Sequence, residues 1–358
     1  MRAIIVAGGT GGHIYPALAI VNKIKEREPE SSILYIGTVD RMEKDIVPKL
    51  GIKYVGIEMT GLDRKNLLKN VSVMKKYFMA VLKAKKIIKE FNPDVVIGAG
   101  GYITAPVLYA AHSLHVKTVI HEQNSIPGVA NKFLGKIVDR VFLSLPGSLK
   151  YFDQKKAVYT GNPRSEEISL VKKAKKETLG FLPDKKLVVV VMGSLGSTTM
   201  TKKLKELIDG FKNKNYQVVI ITGKKYFDDY KDVSVPKNVK LVPFLENFIN
   251  VLKDTDLIVS RAGASTIAEI TTIGLPAILV PSPYVTHNHQ YMNALELEEV
   301  GACKIVTEEE FSKEKVIMEI DNLLNDTDGY RKMQNNSKKL GISDSATRIY
   351  NEIRKLIG

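Results

Sequence analysis

Three stretches of the sequence concentrate the residue types that handle phosphates, sugars and protons. The first, Gly8-Gly9-Thr10-Gly11-Gly12-His13, follows an apolar run and precedes a helical pattern that begins near Tyr15-Pro16. Its backbone amides can therefore face an anion at a helix N-terminus. The spacing is not that of a P-loop, which needs Gly-Lys-Ser/Thr, and Ile14 stands where GxGxxG needs its third glycine. The second apolar run ends in Ile36-Gly37-Thr38, without the acid that grips an adenosine ribose, so NAD is disfavoured. Glycines in this pattern can simply make a tight turn. His13 adds chemistry, because an imidazole at the mouth of such a turn can remove a proton at neutral pH.

The second stretch pairs Gly98-Ala99-Gly100-Gly101-Tyr102 with His121-Glu122-Gln123-Asn124, each at the end of an apolar run. Strand ends are where open α/β sheets bind ligands, and two glycine loops side by side outline a cleft. In the third, Ser260-Arg261-Ala262-Gly263-Ala264-Ser265-Thr266 joins a strand to a helix that carries Glu269 in its first turns. A carboxylate there can accept both hydroxyls of a ribose while the helix N-terminus faces phosphates; compensation of the helix dipole is the plainer alternative. One Cys and six His offer no metal-ligand spacing, so no metal site is expected. Asp254-Thr255-Asp256 precedes a strand, on the wrong edge of a sheet, and reads as a solvated loop.

Short apolar runs alternating with helical patterns position these stretches, and they imply parallel sheets covered on both faces. The expected strands of the first half are 3–7, 33–37, 54–58, 94–98, 118–121 and 140–143. Those of the second are 187–192, 217–222, 239–242, 257–260 and 277–280. Each series opens with a strand running into a Gly-rich turn, so the fold class is α/β with two Rossmann-like domains in tandem and a cleft between them. Thr160-Gly161-Asn162-Pro163-Arg164 carries the breakers of a linker, and the hinge is expected there. A length of 358 residues suits two domains. The formal charge of +14 points to a polyanionic partner: nucleic acid, an anionic membrane surface or a phosphorylated substrate. Seven per cent aromatics, no Trp and no recognisable module argue against nucleic acid. A single cysteine, Cys303, fits a reducing compartment, and MRAIIVAGG has neither the h-region nor the cleavage site of a signal peptide. A cytosolic protein is expected.

With these residues in place, the chain resembles the MurG family over nearly its whole length. These are peripheral membrane glycosyltransferases of peptidoglycan synthesis with the two-domain GT-B fold, moving GlcNAc from UDP-GlcNAc onto the undecaprenyl-diphosphate-linked acceptor lipid I. The matching segments are GGTGGHIYPALA, GAGGY, HEQNSIPGVANK, TGNPR, SRAGASTIAEI and HQYMNA, in family order. The resemblance implies an acceptor and membrane domain over residues 1–161, a donor domain over 165–340, and a last helix, 341–358, crossing back to the first. It implies that Thr10, Gly11 and Gly12 lie near the donor sugar and phosphates and that His13 is the catalytic base. Asn124 matches a donor-sugar contact. Arg164, Ser194, Ala264 and Thr266 match positions around UDP, Leu245 a uracil contact and Glu269 the ribose ligand. His289 and Gln290 match the residues that read the GlcNAc hydroxyls. The departures fall in one loop, Met192-Gly193-Ser194-Leu195-Gly196-Ser197, which lacks the family's first glycine and polar fourth residue, with Thr201 in place of an Asn. Lower affinity or rate than in relatives is expected from it.

The implied reaction inverts the anomeric carbon as His13 deprotonates the attacking hydroxyl. Charge growing on UDP would fall on helix N-termini, Ser194 and Arg164. No tightly bound cofactor is implied, and a loosely held Mg²⁺ is compatible with the sequence. The non-hydrolysing UDP-GlcNAc 2-epimerases share the two-domain architecture; UDP release and a need for lipid acceptor would separate the two. A lipid-linked acceptor also gives residues 71–91 a role at the cytoplasmic face of the membrane. At about 100° per residue, Met74, Tyr77, Phe78, Val81, Leu82, Ile87 and Ile88 share one side suited to packing on the sheet. Lys75, Lys76, Lys83 and Lys86 fall opposite, with Met79 among them, as a surface for anionic lipid.

Overall fold

Strands buried on both faces need apolar side chains at every position, and Arg2–Val6 has them after its first residue. In the computed structural model, which describes residues 1–61, 70–193 and 198–358, this is β1 of a seven-stranded sheet. β2 (Ser32–Thr38), β3 (Lys53–Ile57), β4 (Val95–Gly98), β5 (Lys117–Glu122), β6 (Arg140–Leu143) and β7 (Ala157–Tyr159) complete it in the order β3-β2-β1-β4-β5-β6-β7, every pair parallel. Ile4 and Val6 face a core shared with α3 (Asn70–Phe91), α4 (Thr104–Ser113) and α5 (Val129–Ile137). Ala3, Ile5 and Ala7 face the opposite core, against α1 (Gly11–Arg27) and the last helix, Ser345–Ile357. The short α2 (Glu43–Lys49) follows β2.

The second sheet takes β8 (Leu187–Val191), β9 (Gln217–Ile221), β10 (Val239–Val242), β11 (Leu257–Ser260), β12 (Ala277–Leu279) and β13 (Lys304–Ile305) in the order β10-β9-β8-β11-β12-β13, again all parallel. After α6 (Arg164–Leu170), its helices are α7 (Thr198–Gly210), α8 (Phe248–Leu252), α9 (Ala264–Ile273), α10 (His289–Glu299), α11 (Lys313–Asn325) and α12 (Thr327–Leu340). Leu204 and Leu207 of α7 and Val316 and Ile320 of α11 share a core with Val188 and Val190 of β8. The strand order reverses between β1 and β4 in one sheet and between β8 and β11 in the other, the places where such folds bind ligands. Both the edge strand β7 and the two-residue β13 lie outside the expected set.

The chain divides into Met1–Glu166 with Asp344–Gly358, and Glu167–Ser343. The seam therefore falls later than the expected linker, and hydrogen bonds explain why. Thr160 and Gly161 donate to the Leu143 carbonyl at 3.1 and 3.0 Å, and Glu166 pairs with Lys23 of α1 at 2.8 Å. Glu166 also accepts from the backbone and hydroxyl of Thr347, both at 2.7 Å, on α13 (Ser345–Ile357). Ile349 and Ile353 of α13 are fully buried in the core with α1.

Two expectations are corrected. Asp254 and Asp256 are not a solvated loop. Asp254 accepts from the Lys176 N–H at 2.7 Å and pairs with Lys173 at 2.6 Å, while Asp256 accepts from the Leu187 N–H at 2.7 Å. They tie the entry to β8. Helix α3 is also turned differently on the sheet. Val73, Ala80, Val81, Ala84 and Ile88 are buried, whereas Met74, Phe78 and Leu82 are 53%, 68% and 59% exposed. Ala80 and Ala84 let the helix approach closely, Tyr77, Val81, Ile87 and Ile88 pack on the core as expected, and Met74, Phe78 and Leu82 are left outside. Lys76 reaches Glu58 at 2.8 Å and Lys83 donates to the Gly56 carbonyl at 2.8 Å, so these two cover the chain around β3 rather than standing opposite it.

Candidate active site

Because β1 and β4 are neighbours in parallel register, their following loops meet at one carboxyl edge. Gly8 donates its N–H to the Gly100 carbonyl at 3.2 Å, and the Ala99 N–H donates to Val6 at 2.8 Å. Gly101, at φ +91°, lies so close to the Gly8 backbone that a Cβ would collide with it. Only glycine fits there. The turn ends as α1 begins at Gly11, with Thr10 as its extended N-cap. His13, in the first turn of α1, lies over Gly100 with Nε2 2.9 Å from where a Cβ would stand, and its Nδ1 is 3.2 Å from the Gly8 carbonyl oxygen. A carbonyl oxygen can only accept, so this hydrogen bond places the proton on Nδ1 and the lone pair on Nε2.

The polar cluster after β5 divides into two roles. His121 is fully buried: Gln123 Nε2 approaches its Nδ1 at 3.0 Å and donates to the Ala99 carbonyl at 2.8 Å, while its Nε2 faces the Gly161 carbonyl at 3.3 Å. Burial pushes the imidazole down to about 4, so it is a neutral cross-brace. Glu122 is engaged at both oxygens. Oε1 accepts from the Asn124 N–H at 2.9 Å and its Nδ2 at 3.3 Å, and Oε2 accepts from Gly128 N–H at 3.1 Å and Asn131 Nδ2 at 2.8 Å. This orients the half-buried Asn124 at the edge. Arg164 stacks its guanidinium 5.0 Å from the ring centroid of Tyr15 on α1, which sets it beside the same helix start.

In the second unit the expected residues follow the ends of four parallel strands. Leu245 lies after β10, Ala264 and Thr266 open α9 after β11, and His289 and Gln290 open α10 after β12. Gly193, after β8, has φ +96°; Ser194 lies outside the described residues, as do residues 195–197 of the same loop. Glu269 is buried in the second turn of α9. His289 donates from Nδ1 to the Thr286 carbonyl at 2.8 Å, and Gln290 Oε1 accepts from the Ser282 N–H at 2.9 Å. His287 and Asn288, at φ 55° and 50°, make the left-handed approach to α10. Arg261, unremarked in the sequence beyond its place in the turn, is buried with NH2 2.5 Å from Glu308 and NH1 donating to Val280 at 3.1 Å. Among the described residues, no group of three His, Cys, Asp or Glu side chains gathers as a metal site.

Two parallel α/β units with glycine loops at their strand ends are an architecture used by glycosyltransferases, and the sequence comparisons place the chain in that class. Residues 3–143 match the glycosyltransferase family 28 N-terminal domain and residues 187–349 its C-terminal domain. A Bacillus cereus UDP-N-acetylglucosamine--N-acetylmuramyl-(pentapeptide) pyrophosphoryl-undecaprenol N-acetylglucosamine transferase 1 is 43% identical over the whole of both chains. The crystal structure of Acinetobacter baumannii MurG superposes with a TM-score of 0.80 at 25% identity, covering 99% of each chain. The chain belongs to the MurG family. A Listeria monocytogenes protein described as a putative UDP-N-acetylglucosamine 2-epimerase shares the fold at TM-score 0.74 and 15% identity, covering 99% of this chain and 96% of that one.

Proposed function

We propose that this chain transfers GlcNAc from UDP-GlcNAc to the MurNAc 4-hydroxyl of lipid I, giving lipid II, with inversion and with His13 as the base. The observation that carries the assignment of His13 is its hydrogen bond to the Gly8 carbonyl, which leaves the basic lone pair on Nε2 at the loop edge. Such a base contributes roughly 10² to 10⁴ in rate. Thr10, Gly11 and Gly12 approach the donor through backbone amides at the start of α1, and Asn124, oriented by Glu122, binds a sugar hydroxyl. Arg164 and Ser194 take up charge as UDP leaves. Leu245, Ala264, Thr266 and Glu269 bind the nucleotide, and His289 and Gln290 read the sugar. The test is UDP release from UDP-GlcNAc with and without lipid I. Release that requires lipid I supports the transferase; epimerisation without acceptor would replace it.

The acceptor's lipid gives the exposed face of α3 its purpose. Val71, Phe78, Met79 and Leu82 are exposed, and Lys75 and Lys86 stand on the same side at helical spacing. Apolar side chains entering the headgroup region, flanked by lysines near anionic lipid at roughly 1 kcal/mol each, hold a peripheral protein at the cytoplasmic face. No helix among the described residues is long and apolar enough to cross a membrane. Replacing Phe78 and Leu82 with Ser and Lys75 and Lys86 with Glu should abolish sedimentation with anionic vesicles and spare turnover of a water-soluble acceptor. A variant that sediments like the wild type would move the contact elsewhere.

A further inference from the structure

One buried carboxylate has no place in the chemistry so far. Glu43, in the first turn of α2, has no exposed surface, yet its side chain reaches under the β1 loop. Oε1 accepts from the Thr38 N–H at 2.9 Å and the Thr38 hydroxyl at 2.7 Å, and Oε2 accepts from the Gly9 N–H at 3.1 Å. Glycines make the passage. A Cβ on Gly8 would stand 2.5 Å from Glu43 Oε1, and one on Gly37 would stand 2.6 Å from Glu43 Cγ. The absence of side chains at both positions is what lets an acid from the next helix touch this turn.

The Gly9 N–H that Glu43 holds and the Gly8 carbonyl that holds His13 belong to the same peptide group. In a trans peptide the two bonds point in opposite directions, so fixing one fixes the other. A carboxylate at the N–H end also polarises the amide and strengthens the carbonyl as an acceptor, as hydrogen bonds in chains do. We propose that Glu43 is a positioning residue for the transfer reaction, acting through the Gly8–Gly9 peptide to hold His13 in the tautomer with its proton on Nδ1 and its lone pair on Nε2. The arrangement does the work of a carboxylate bonded directly to an imidazole, with one peptide group interposed. It rests on the reading of His13 as the base.

The variant Glu43→Gln keeps the volume but, with its carbonyl turned to Thr38, presents an N–H₂ to the Gly9 N–H, so the contact is lost. The experiment uses the full chain with ¹⁵N-labelled histidine at pH 8, the His13 signals being identified by their loss in His13→Ala. The wild type should show Nδ1 protonated and Nε2 bare. In Glu43→Gln the bias toward that tautomer should weaken, and kcat on a soluble acceptor should fall about tenfold or more, since imidazole bases depend strongly on their orienting partner. KM and UDP affinity should stay within about twofold, because the loss is confined to the proton-transfer step. A wild-type His13 protonated on Nε2 overturns the proposal, and that measurement needs no variant to fold. Unchanged kcat in Glu43→Gln also overturns it, as does a drop matched by an equal loss of UDP affinity. Wild-type turnover in His13→Ala would remove the base itself, an outcome distinct from any of these.

Discussion

Beneath the carboxyl edge of the first sheet lies a buried carboxylate, Glu43, hydrogen-bonded to Gly9 and Thr38, and on β5 of the same sheet a neutral buried imidazole, His121. Beneath the edge of the second lies a buried guanidinium, Arg261, matched by Glu308 and by the Val280 carbonyl just after β12. The first edge is braced by groups that leave electron-rich polarity at the loop, where the proposed base must accept a proton. The second is pinned by a neutralised pair joining the ends of β11 and β12 to the segment after β13. On the proposed reading, the start of α9 there meets phosphate charge. Two units of one fold thus hold their glycine loops differently, one with a carboxylate and the other with a neutralised ion pair.

Breaking the ion pair should have the largest effect. Glu308→Ala strands a buried guanidinium without its carboxylate, and removing one partner of such a pair costs about 3–5 kcal/mol. Denaturant titration of the variant measures it; a loss below about 1 kcal/mol would mean that water takes over the role of Glu308 and that the contrast between the units is only apparent. The first unit should respond to acid instead. His121 is held near 4 in the folded chain against an ordinary 6.5, so between these values the unfolded chain binds a proton that the folded chain does not. Its contribution is complete above pH 6.5 and is lost as pH falls toward 4, on the order of 3 kcal/mol. The pH slope of stability in that window should shrink in His121→Gln, leaving the part due to the paired carboxylates Glu28 and Glu166, and a slope unchanged in the variant would show that His121 carries none of it.

The proposed base gives the next effect. His13→Ala should lower turnover by at least ~10² while leaving UDP affinity nearly intact, because a general base acts in the transition state. Steady-state kinetics beside calorimetry on UDP separates the two. Binding that falls while turnover of bound substrate holds would make the ring a ligand contact and weaken the distinction between a chemical edge and a binding edge.

The sequence made most of the sheet legible, because parallel strands buried on both faces leave uninterrupted apolar runs such as Leu187–Val191. It did not reveal β7 or β13, whose three and two residues at the sheet edges are too short to carry a pattern. The face of α3 was misleading for a different reason. Side-chain size favours Met74, Phe78 and Leu82 as core, but the contact surface selects Ala80 and Ala84. The glycine loops and His13 announced themselves by residue type. Glu43 did not, since its meaning depends on a peptide group thirty-odd residues earlier in the chain; an acid shortly after a strand that closes on Gly37-Thr38 is the one signal it left.

Glu269 offers the finest test of the second edge. Among the readings open to it, compensation of the helix dipole acts within the first turn, yet α9 has no acid there and Glu269 stands a turn further in, at 8% exposure. A ribose diol at that carboxylate would make charge-assisted hydrogen bonds, worth ~1.5–3 kcal/mol. Glu269→Ala should therefore weaken UDP by about one order of magnitude or more. Measuring 2′-deoxy-UDP as well as UDP isolates the contact. In the wild type the missing hydroxyl should cost affinity, and in the variant that penalty should vanish, because the partner on the protein is already gone. Equal penalties in both proteins would detach Glu269 from the ribose and return it to a packing role within α9.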